Sequence, residues 1–181
     1  MRDGVALFYR DGFHLPGVDA VAAAAAISKR TLYNQFSSKD ELIGAVLEAQ
    51  AELADAEIKQ WCDDSLGTPE ELVRSIFAGL RRWAASPDWR GSGFTRAAME
   101  FAWAPGHPAR LAAAAQKRAV EEALAIALDG TGSEGSRRLA CKLVILIEGA
   151  NALRLIHNDD AWFDVAESAA IALVEHRPEI Y

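Results

Sequence analysis

The sequence predicts an all-α protein, and three observations support this. Alanine accounts for 36 of the 181 residues, and alanine is the strongest helix former and a poor strand residue. No long stretch alternates apolar with polar residues, as a half-buried strand does. Signals that begin and end helices recur along the chain. With 51% apolar residues, the chain is long enough to bury the core of one or two small domains.

The N-terminal part of the sequence predicts three short helices. The first spans residues 1–11, with Gly12 as its C-terminal cap. A compact alanine-rich helix follows at Val18–Ala25, after a break at Leu15-Pro16-Gly17. Ser28 is the N-cap of a third helix, which ends near Phe36.

Two capping boxes begin the next helices. In Ser38–Glu41, the serine hydroxyl can cap the Glu41 amide while the Glu41 carboxylate reaches back, and the helix continues to about Trp61, a length of roughly 30 Å. In Thr68–Glu71, proline stands at the first helical position, and Pro87 ends the helix. The remaining helices are expected at about 95–103, from Pro108 through Leu128, at about 136–157 and at about 160–176.

Composition excludes several classes of protein. Only 13 glycines, no sustained heptad and a high apolar fraction exclude collagen, coiled-coil and disordered chains. No apolar run approaches the roughly 18 residues of a membrane span. The charged start Met1–Gly4 does not resemble a signal peptide, so we expect a cytoplasmic protein with no membrane partner. Cys62 and Cys141 match no metal-ligand spacing, and we expect neither a metal nor another cofactor.

The segment Gly130–Gly135 matches the G-x-G-x-x-G pattern of dinucleotide-binding sites. That fingerprint requires a preceding strand, because the phosphates lie between a strand end and a helix N-terminus. The residues before it, Glu121–Asp129, are predicted to be helical. We therefore interpret the glycines as an inter-helix loop.

The last two predicted helices are the most apolar. Leu143–Ile147 leaves no polar face for more than a turn, which predicts burial on all sides. The last helix presents Trp162, Val165, Ala169 and Leu173 on one face. We interpret these features as the interface of a homodimer, and the alternative is the core of a monomeric bundle.

The segment Val18–Lys39 predicts a helix-turn-helix unit, whose second helix enters the major groove of DNA. Ala22 is expected at the crossing of the two helices, with Ile27 and Leu32 filling the angle between them. Three cations and no acid lie between Ala20 and Lys39, although the whole chain has a net charge of −7. The cations, Lys29, Arg30 and Lys39, can neutralise phosphates or bond guanine, and Asn34 can bond adenine. The alternative is an ordinary helical hairpin with a solvated basic face.

Several of these segments resemble one family. Gly12-Phe13, Val18–Ala22 and above all Ala26–Leu42 are similar to the DNA-binding domain of the tetracycline-repressor (TetR/AcrR) regulators, with the pattern G-V-S-x-x-T-L-Y-x-x-F-x-S-K-E-x-L. The resemblance covers residues 1–45 and implies a three-helix DNA-binding domain there. It also implies that residues 46–181 form a helical bundle for effector binding and dimerisation.

The resemblance also implies roles for individual residues. Tyr33 and Lys39 would contact phosphates, with Thr31 beside them. The other DNA-binding residues would face bases or the adjoining backbone, and these are Ser28, Lys29, Arg30 and Asn34.

Three features depart from the family pattern. Ala26 replaces a glycine at a turn that favours positive φ, at a cost of about 1 kcal/mol. Gly17 replaces the usual threonine or serine cap, which weakens the helix start by about a few tenths of a kcal/mol. The first helix begins near its family midpoint, which indicates either a mis-assigned start at Met1 or weaker DNA binding.

Bulky side chains in the second half are expected around an effector cavity, with a few polar groups among them. Arg96, Glu100 and His107 are polar groups near these side chains that we do not include among the predicted ligand-binding residues. His107 is expected to cap a loop. The predicted ligand-binding residues are Phe77, Trp83, Phe94, Met99, Trp103, Glu148 and Asn151.

Together these features predict a homodimeric transcriptional regulator, most simply a repressor. It would bind a palindromic operator in double-stranded DNA and be released by a small, largely apolar effector. The alternative is a dimeric, all-α small-molecule-binding protein whose DNA binding is weakened or lost because its first helix is short. The sequence contains no metalloprotease, di-iron or nucleophile-elbow pattern, so we do not expect an enzyme.

Overall fold

A computed structural model describes residues 2–64 and 67–176 of the chain. Within these residues it contains nine α-helices and no strand, which confirms the predicted all-α class. None of the described helices is long and apolar enough to cross a membrane. The helices are α1 Arg2–Asp11, α2 Val18–Ala24, α3 Lys29–Gln35, α4 Lys39–Asp63, α5 Pro69–Ala84, α6 Gly93–Glu100, α7 Pro108–Asp129, α8 Glu134–His157 and α9 Ala161–Glu175.

Most predicted helix ends follow from local capping. Gly12 has a φ of +89° and donates its N–H to the Phe8 carbonyl at 3.0 Å, as a C-terminal cap does. At α5, the Glu71 N–H donates to the Thr68 hydroxyl at 3.2 Å and the Thr68 N–H donates to the Glu71 carboxylate at 3.2 Å. This reciprocal pair confirms the second capping box.

Two predicted ends need correction. The Ser38 hydroxyl accepts from the Glu41 N–H at 3.1 Å, but the Glu41 carboxylate accepts from the Ser37 N–H at 2.7 Å rather than from Ser38. At α4 the Glu41 carboxylate therefore bonds Ser37, one residue before the N-cap, and the predicted capping box is not reciprocal. Helix α6 begins at Gly93 because the Ser92 hydroxyl caps the Thr95 N–H at 3.3 Å. It ends at Glu100, so the prediction that the helix reaches residue 103 is wrong.

The described part of the chain divides into two compact units. The first contains the residues up to Leu53 and Ser92–Gln116. Its core includes the stacked rings of Phe8 and Phe13, whose centroids are 5.9 Å apart. Because α4 runs unbroken through residue 45, the division of the chain at that position stays a prediction.

The second unit contains the remaining described residues, from Ala54 to Gly91 and from Lys117 onward. Helix α9 packs against both α5 and α8 there. The side chains of Phe77 and Phe163 are almost fully buried in its core. Helices α4 and α5 approach closely where the Trp61 ring lies over Gly79.

The glycine-rich segment lies between α7 and α8, which confirms the predicted inter-helix loop. Its backbone N–H groups surround the Asp129 carboxylate, which accepts from Thr131 and Gly132, each at 2.8 Å. The hydroxyls of Ser133 and Ser136 donate to the same carboxylate at 2.5 and 2.9 Å. Hydrogen bonds from Ser133 first, and then from the backbone, hold the pKa of Asp129 well below its usual range. The loop therefore binds an anion that the chain itself supplies.

The apolar segment of α8 is only partly buried within the chain. Leu143 and Ile147 are in the core, whereas Ile145 between them is 71% exposed. Within a single chain the segment is therefore not buried on all sides, and burial of its exposed face in a homodimer stays a prediction.

Candidate nucleic-acid interface and ligand groove

The α2 and α3 helices are joined by a tight turn at Ala26. This alanine has a φ of +54°, in the left-handed region that favours glycine. The turn is closed by the Ile27 N–H, which donates to the Ala22 carbonyl at 3.0 Å. At the start of α2, the N-cap residue Gly17 has no side chain and therefore makes no side-chain cap. The structure thus preserves the positive φ that the sequence predicted at this turn.

The α2–α3 pair is held by small and branched side chains. Ala22 and Leu32 are 3% and 5% exposed, as predicted for the crossing of the two helices. Ile27 is 37% exposed, so the prediction that it fills the angle between them is wrong. Val21, which is 2% exposed, supplies the buried branched side chain on the α2 side instead.

The N-terminus of α3 is fixed by two hydroxyls. The Ser28 hydroxyl accepts from the Thr31 N–H at 3.0 Å, which confirms the predicted N-cap. The Ser28 and Thr31 hydroxyls also bond each other at 2.8 Å. Both side chains are exposed, so the contacts that set the helix start lie on the same surface as the predicted DNA contacts.

The outer face of α3 presents Arg30, Tyr33 and Asn34, all of them exposed. Among the described residues, neither Arg30 nor Asn34 has a side-chain partner in a hydrogen bond or ion pair. Lys29 differs, because its ammonium lies 2.9 Å from the Asp19 carboxylate. The hydrogen bond to Asp19 raises the pKa of Lys29. This pair is largely solvated, and such pairs contribute only about 0–1 kcal/mol, so a phosphate can compete for the lysine.

Lys39 begins α4 and connects it to the α1–α2 loop. Its ammonium donates to the His14 carbonyl at 2.7 Å. An ammonium has three donors, so two remain for an external acceptor. Lys39 thus has both a structural contact and the position at a helix N-terminus that suits a phosphate.

Helix α6 holds the α1–α2 loop through Glu100. One carboxylate oxygen accepts from the Phe13 N–H at 2.8 Å and from the His14 N–H at 3.1 Å. A Cβ at Gly12 would lie 3.2 Å from the other oxygen, so glycine at this position also leaves room for the carboxylate. Sequence reasoning associated Glu100 with an effector cavity, whereas the structure places it beside the loop that Lys39 contacts.

Arg96, one turn earlier on α6, binds the end of α1. Its guanidinium donates to the Tyr9 carbonyl at 2.7 Å and lies 5.8 Å from the centroid of the Tyr9 ring. Sequence reasoning also missed this role. The only signal available in the sequence was the helix end at Gly12, whose free carbonyls require donors.

His107 caps the start of α7, as predicted. Its Nδ1 accepts from the Ala109 N–H at 3.1 Å, and its ring stacks on Phe101 with centroids 3.7 Å apart. Its Nε2 lies 3.4 Å from the Asp40 carboxylate. The buried imidazole therefore lies between the start of α7 and the first turn of α4, although its Nε2 makes no hydrogen bond with the described residues.

This geometry agrees with the comparisons with known proteins. Residues 1–46 match the family model for bacterial regulatory proteins of the tetR family. The chain resembles the TetR family. It is 36% identical over 78 residues to the DNA-binding transcriptional repressor TetR of Mycobacteroides abscessus, a match that covers 43% of this chain and 39% of that protein. The chain thus matches less than half the length of this curated relative.

The TetR-like fold extends over the whole chain. A TetR-family transcriptional regulator from Streptomyces coelicolor superposes with a TM-score of 0.85 at 25% identity, over 98% of this chain and 93% of the other. A TetR transcriptional regulator from Streptomyces avermitilis gives 0.75 at 28% identity, over 93% and 94%. The predicted architecture, an N-terminal helix-turn-helix followed by a helical bundle, is confirmed.

The seven predicted ligand-binding residues of this TetR-like chain fall in different places. Three belong to the first unit: Phe94 is buried, whereas Met99 and Trp103 are 70% and 75% exposed. Four belong to the second unit, and these are Phe77, Trp83, Glu148 and Asn151. Their role in ligand binding stays a prediction.

The four residues of the second unit have different surroundings. Phe77 is part of the core, and the Trp83 ring meets the Trp89 ring edge-on with centroids 5.7 Å apart. Glu148 bonds Lys117 at 2.6 Å. Asn151 is buried, and its side-chain oxygen has no hydrogen-bond partner among the described residues.

The second unit also contains an open groove of about 450 Å³ between α4 and α7. None of the seven predicted residues lines it. Its lining is mostly apolar, and comprises Asp55, Ile58, Lys59, Cys62, Asp63, Ala119, Val120, Ala123, Ile126 and Ala127.

Proposed function

We propose that this chain is a cytoplasmic transcriptional regulator of the TetR type, most simply a repressor. It binds a palindromic operator as a homodimer and is released by a small, largely apolar effector. The observation that carries the proposal is the outer face of α3, where Arg30, Tyr33 and Asn34 are exposed beside a buried Leu32. A helix that buries one face and presents a cation, an amide and a phenol on the other matches the recognition helix of a helix-turn-helix.

In this proposal α3 lies in the major groove. The Arg30 guanidinium suits the two acceptors of guanine, and the Asn34 amide suits the donor and acceptor of adenine. The Tyr33 hydroxyl and the Lys39 ammonium bind phosphates on either side, which fixes the position of the helix along the duplex. Two copies related by a twofold axis would read half-sites about 34 Å apart or a multiple of that distance.

The proposed dimer is formed through α8 and α9. Both helices carry large apolar side chains that single-chain packing leaves in water: Ile145 and Ile156 are each 71% exposed, and Val165 is 62% exposed. Small neighbours on the same helices, such as Ala152 and Ala169, would allow a second copy to approach closely. Large exposed apolar side chains favour an interface where they form one patch.

Fluorescence anisotropy with DNA from upstream of the gene tests operator binding. Substituting Arg30→Ala is expected to weaken specific binding by about 10- to 100-fold, since a good bidentate base contact contributes about 1–3 kcal/mol. Substituting Lys39→Ala is expected to reduce the salt slope by about one unit. The matched control is Arg82→Ala, an exposed arginine on α5. Binding without sequence preference at every salt concentration would contradict the proposal.

Sedimentation tests the dimer. Ile145→Glu places a charge on an exposed position of α8, so it is expected to give folded monomers while leaving the core unchanged. Leu111→Glu is the control, because Leu111 is 58% exposed but lies on α7 in the first unit. A monomeric wild-type protein at micromolar concentration would refute the dimer.

A second candidate is a dimeric ligand-binding protein with weakened DNA binding. The observations that favour it are the engagement of Lys29 by Asp19 and the strained Ala26 at the centre of the turn. Anisotropy over a salt series separates the two candidates. The regulator is expected to prefer the upstream DNA over an unrelated sequence, whereas the weakened binder is expected to show no sequence preference at any salt concentration.

A further inference from the structure

The groove between α4 and α7 is formed by one face of each helix, within the second unit. Its α4 side comprises Asp55, Ile58, Lys59, Cys62 and Asp63, which recur at helical spacing. Its α7 side has the same spacing, and three of its five residues are alanines: Ala119, Val120, Ala123, Ile126 and Ala127. Because the α7 side chains are short, the two helices leave about 450 Å³ between them. This volume lies in the range of small-molecule sites.

The Asp55 carboxylate, which lines this groove, has one oxygen that lacks the partner that its chemistry requires. The Asp55 Oδ1 atom is buried and accepts no hydrogen bond from any of the described residues. A carboxylate oxygen removed from water is costly unless a donor or a cation meets it. Lys59 and Asp63 belong to the same lining, but both are exposed to solvent. The Asp55 carboxylate therefore lacks a hydrogen-bond donor, and a positively charged donor would suit it best.

The thiol in the groove is a weak nucleophile. Burial, and then the neighbouring Asp63 charge, raise the pKa of Cys62 to about 11. Since the thiolate is the reactive form, this shift disfavours covalent attack by Cys62 at neutral pH. The thiol contributes a weakly polar part of the groove wall, so we consider a ligand held by noncovalent contacts.

We infer that the groove binds a small amphipathic amine. The protonated nitrogen donates to the Asp55 carboxylate, and the apolar body packs against Ile58, Val120 and Ile126. Helix α4 carries both Asp55 and, at its N-terminus, Lys39, so the ligand contacts the same helix that begins beside the recognition helix. The consequence for DNA release rests on the proposed function, whereas the binding itself does not.

Isothermal titration calorimetry with three molecules that share a phenethyl group and differ in its polar end tests the inference. Phenethylamine is expected to bind saturably, 2-phenylethanol at least tenfold more weakly, and 3-phenylpropanoate not measurably. Asp55→Asn keeps the side-chain shape and removes the charge, so it is expected to weaken amine binding at least tenfold. The control is Glu57→Gln, which removes an exposed carboxylate from α4 outside the groove.

A second variant fills the groove between α4 and α7. Ala123→Leu is expected to abolish amine binding while the helical circular dichroism and the melting temperature stay close to wild type. Equal binding of the amine and the carboxylate, or wild-type affinity in Asp55→Asn, would overturn the inference.

Operator binding measured with and without the amine separates this inference from the proposed function. If the protein binds no operator but binds the amine through Asp55, the proposed function fails and the groove assignment stands. If operator binding is specific but no amine binds, the groove assignment fails alone. If the amine binds through Asp55 and leaves operator affinity unchanged, the site stands and its regulatory consequence is refuted.

Discussion

The close approach of α4 and α5 gives a sharp prediction for Gly79→Ala. A Cβ atom at residue 79 would lie 2.3 and 2.4 Å from the Cδ2 and Cε2 atoms of Trp61, and 2.8 Å from its Cγ. Optimal carbon contacts are about 3.5–4.0 Å, so the ring or the helix must move by about 1 Å. Trp61 is 8% exposed, and its main-chain carbonyl accepts from the Ser75 hydroxyl at 2.6 Å. Both features resist that movement.

The magnitude follows from two opposing contributions. Alanine in a helix interior is favoured over glycine by about 1 kcal/mol. Overpacking a well-packed core costs about 1–3 kcal/mol, and contact with the Trp61 Cγ, near the root of its side chain, belongs at the upper end. We therefore expect Gly79→Ala to lower the free energy of unfolding by about 2 kcal/mol. For a chain of this size that corresponds to a fall in melting temperature of about 4–8 °C.

Thermal and urea denaturation at equal protein concentration measure this effect. The matched test is a double-mutant cycle with Trp61→Leu, which removes the ring that the new methyl group meets. The cost of Gly79→Ala in that background is expected to vanish or become a gain, with a coupling energy of about 2 kcal/mol. If Gly79→Ala raises the melting temperature of the wild-type protein, or if the coupling is zero, the steric reasoning is refuted.

Three further predictions follow from the loops. Ala26→Gly relieves a positive φ that costs about 1–2 kcal/mol, but glycine raises the conformational entropy of the unfolded chain, which lowers stability by about 0.4–1 kcal/mol. Urea denaturation is therefore expected to show a net gain in stability of about 0.5 kcal/mol, and a loss would contradict the strain. Asp129→Asn is expected to lower the melting temperature at pH 7. Because the pKa of Asp129 is depressed in the folded protein, its contribution to stability is present above the ordinary pKa of 3.8 and is lost as pH falls below that value. A difference in melting temperature between wild type and Asp129→Asn that persists in acid would refute this account. Glu100→Ala is expected to destabilise the first unit by about 2 kcal/mol, which is the typical net contribution of a hydrogen bond to a charged group. Unchanged hydrogen-exchange rates at the Phe13 and His14 amides would contradict this prediction.

Helix starts could be predicted from the sequence because their chemistry is local. The Ser28 and Thr68 hydroxyls each cap a backbone N–H three residues later, so the interacting atoms are fixed by spacing alone. The positive φ of Ala26 was predicted in a different way, from the resemblance to a family pattern that has glycine at this turn.

The roles of Arg96 and Glu100 could not be predicted in this way. Their partners, the Tyr9 carbonyl and the Phe13 N–H, are both 87 residues away in sequence. Nothing local distinguishes a carboxylate that will bind a distant loop from one that will line a cavity. Composition around these residues is aromatic, and it therefore indicated a ligand site instead.

The sequence also could not show which molecule buries each face of α8. Hydropathy shows that Leu143–Ile147 avoids water, but it does not show which molecule removes the water. In one chain, Ile145 stays 71% exposed while its neighbours Leu143 and Ile147 are buried. The pattern therefore fits a helix that is shared between a core and an interface.

One physical rule explains why some motifs in this chain point to a ligand and others do not. A polar group is available to a ligand only where the chain has not already satisfied it. The glycine-rich loop fails this criterion, because its N–H groups already donate to Asp129. Among the described residues, the Arg30 and Asn34 side chains and the buried Asp55 oxygen meet it, and so do buried polar atoms of Trp89, His107, Gln116 and Asn151 outside the two proposed sites. An unpaired donor or acceptor is thus necessary for a ligand site but does not define one. The two proposed sites add an exposed helix face and an open groove, which a sequence pattern alone cannot reveal.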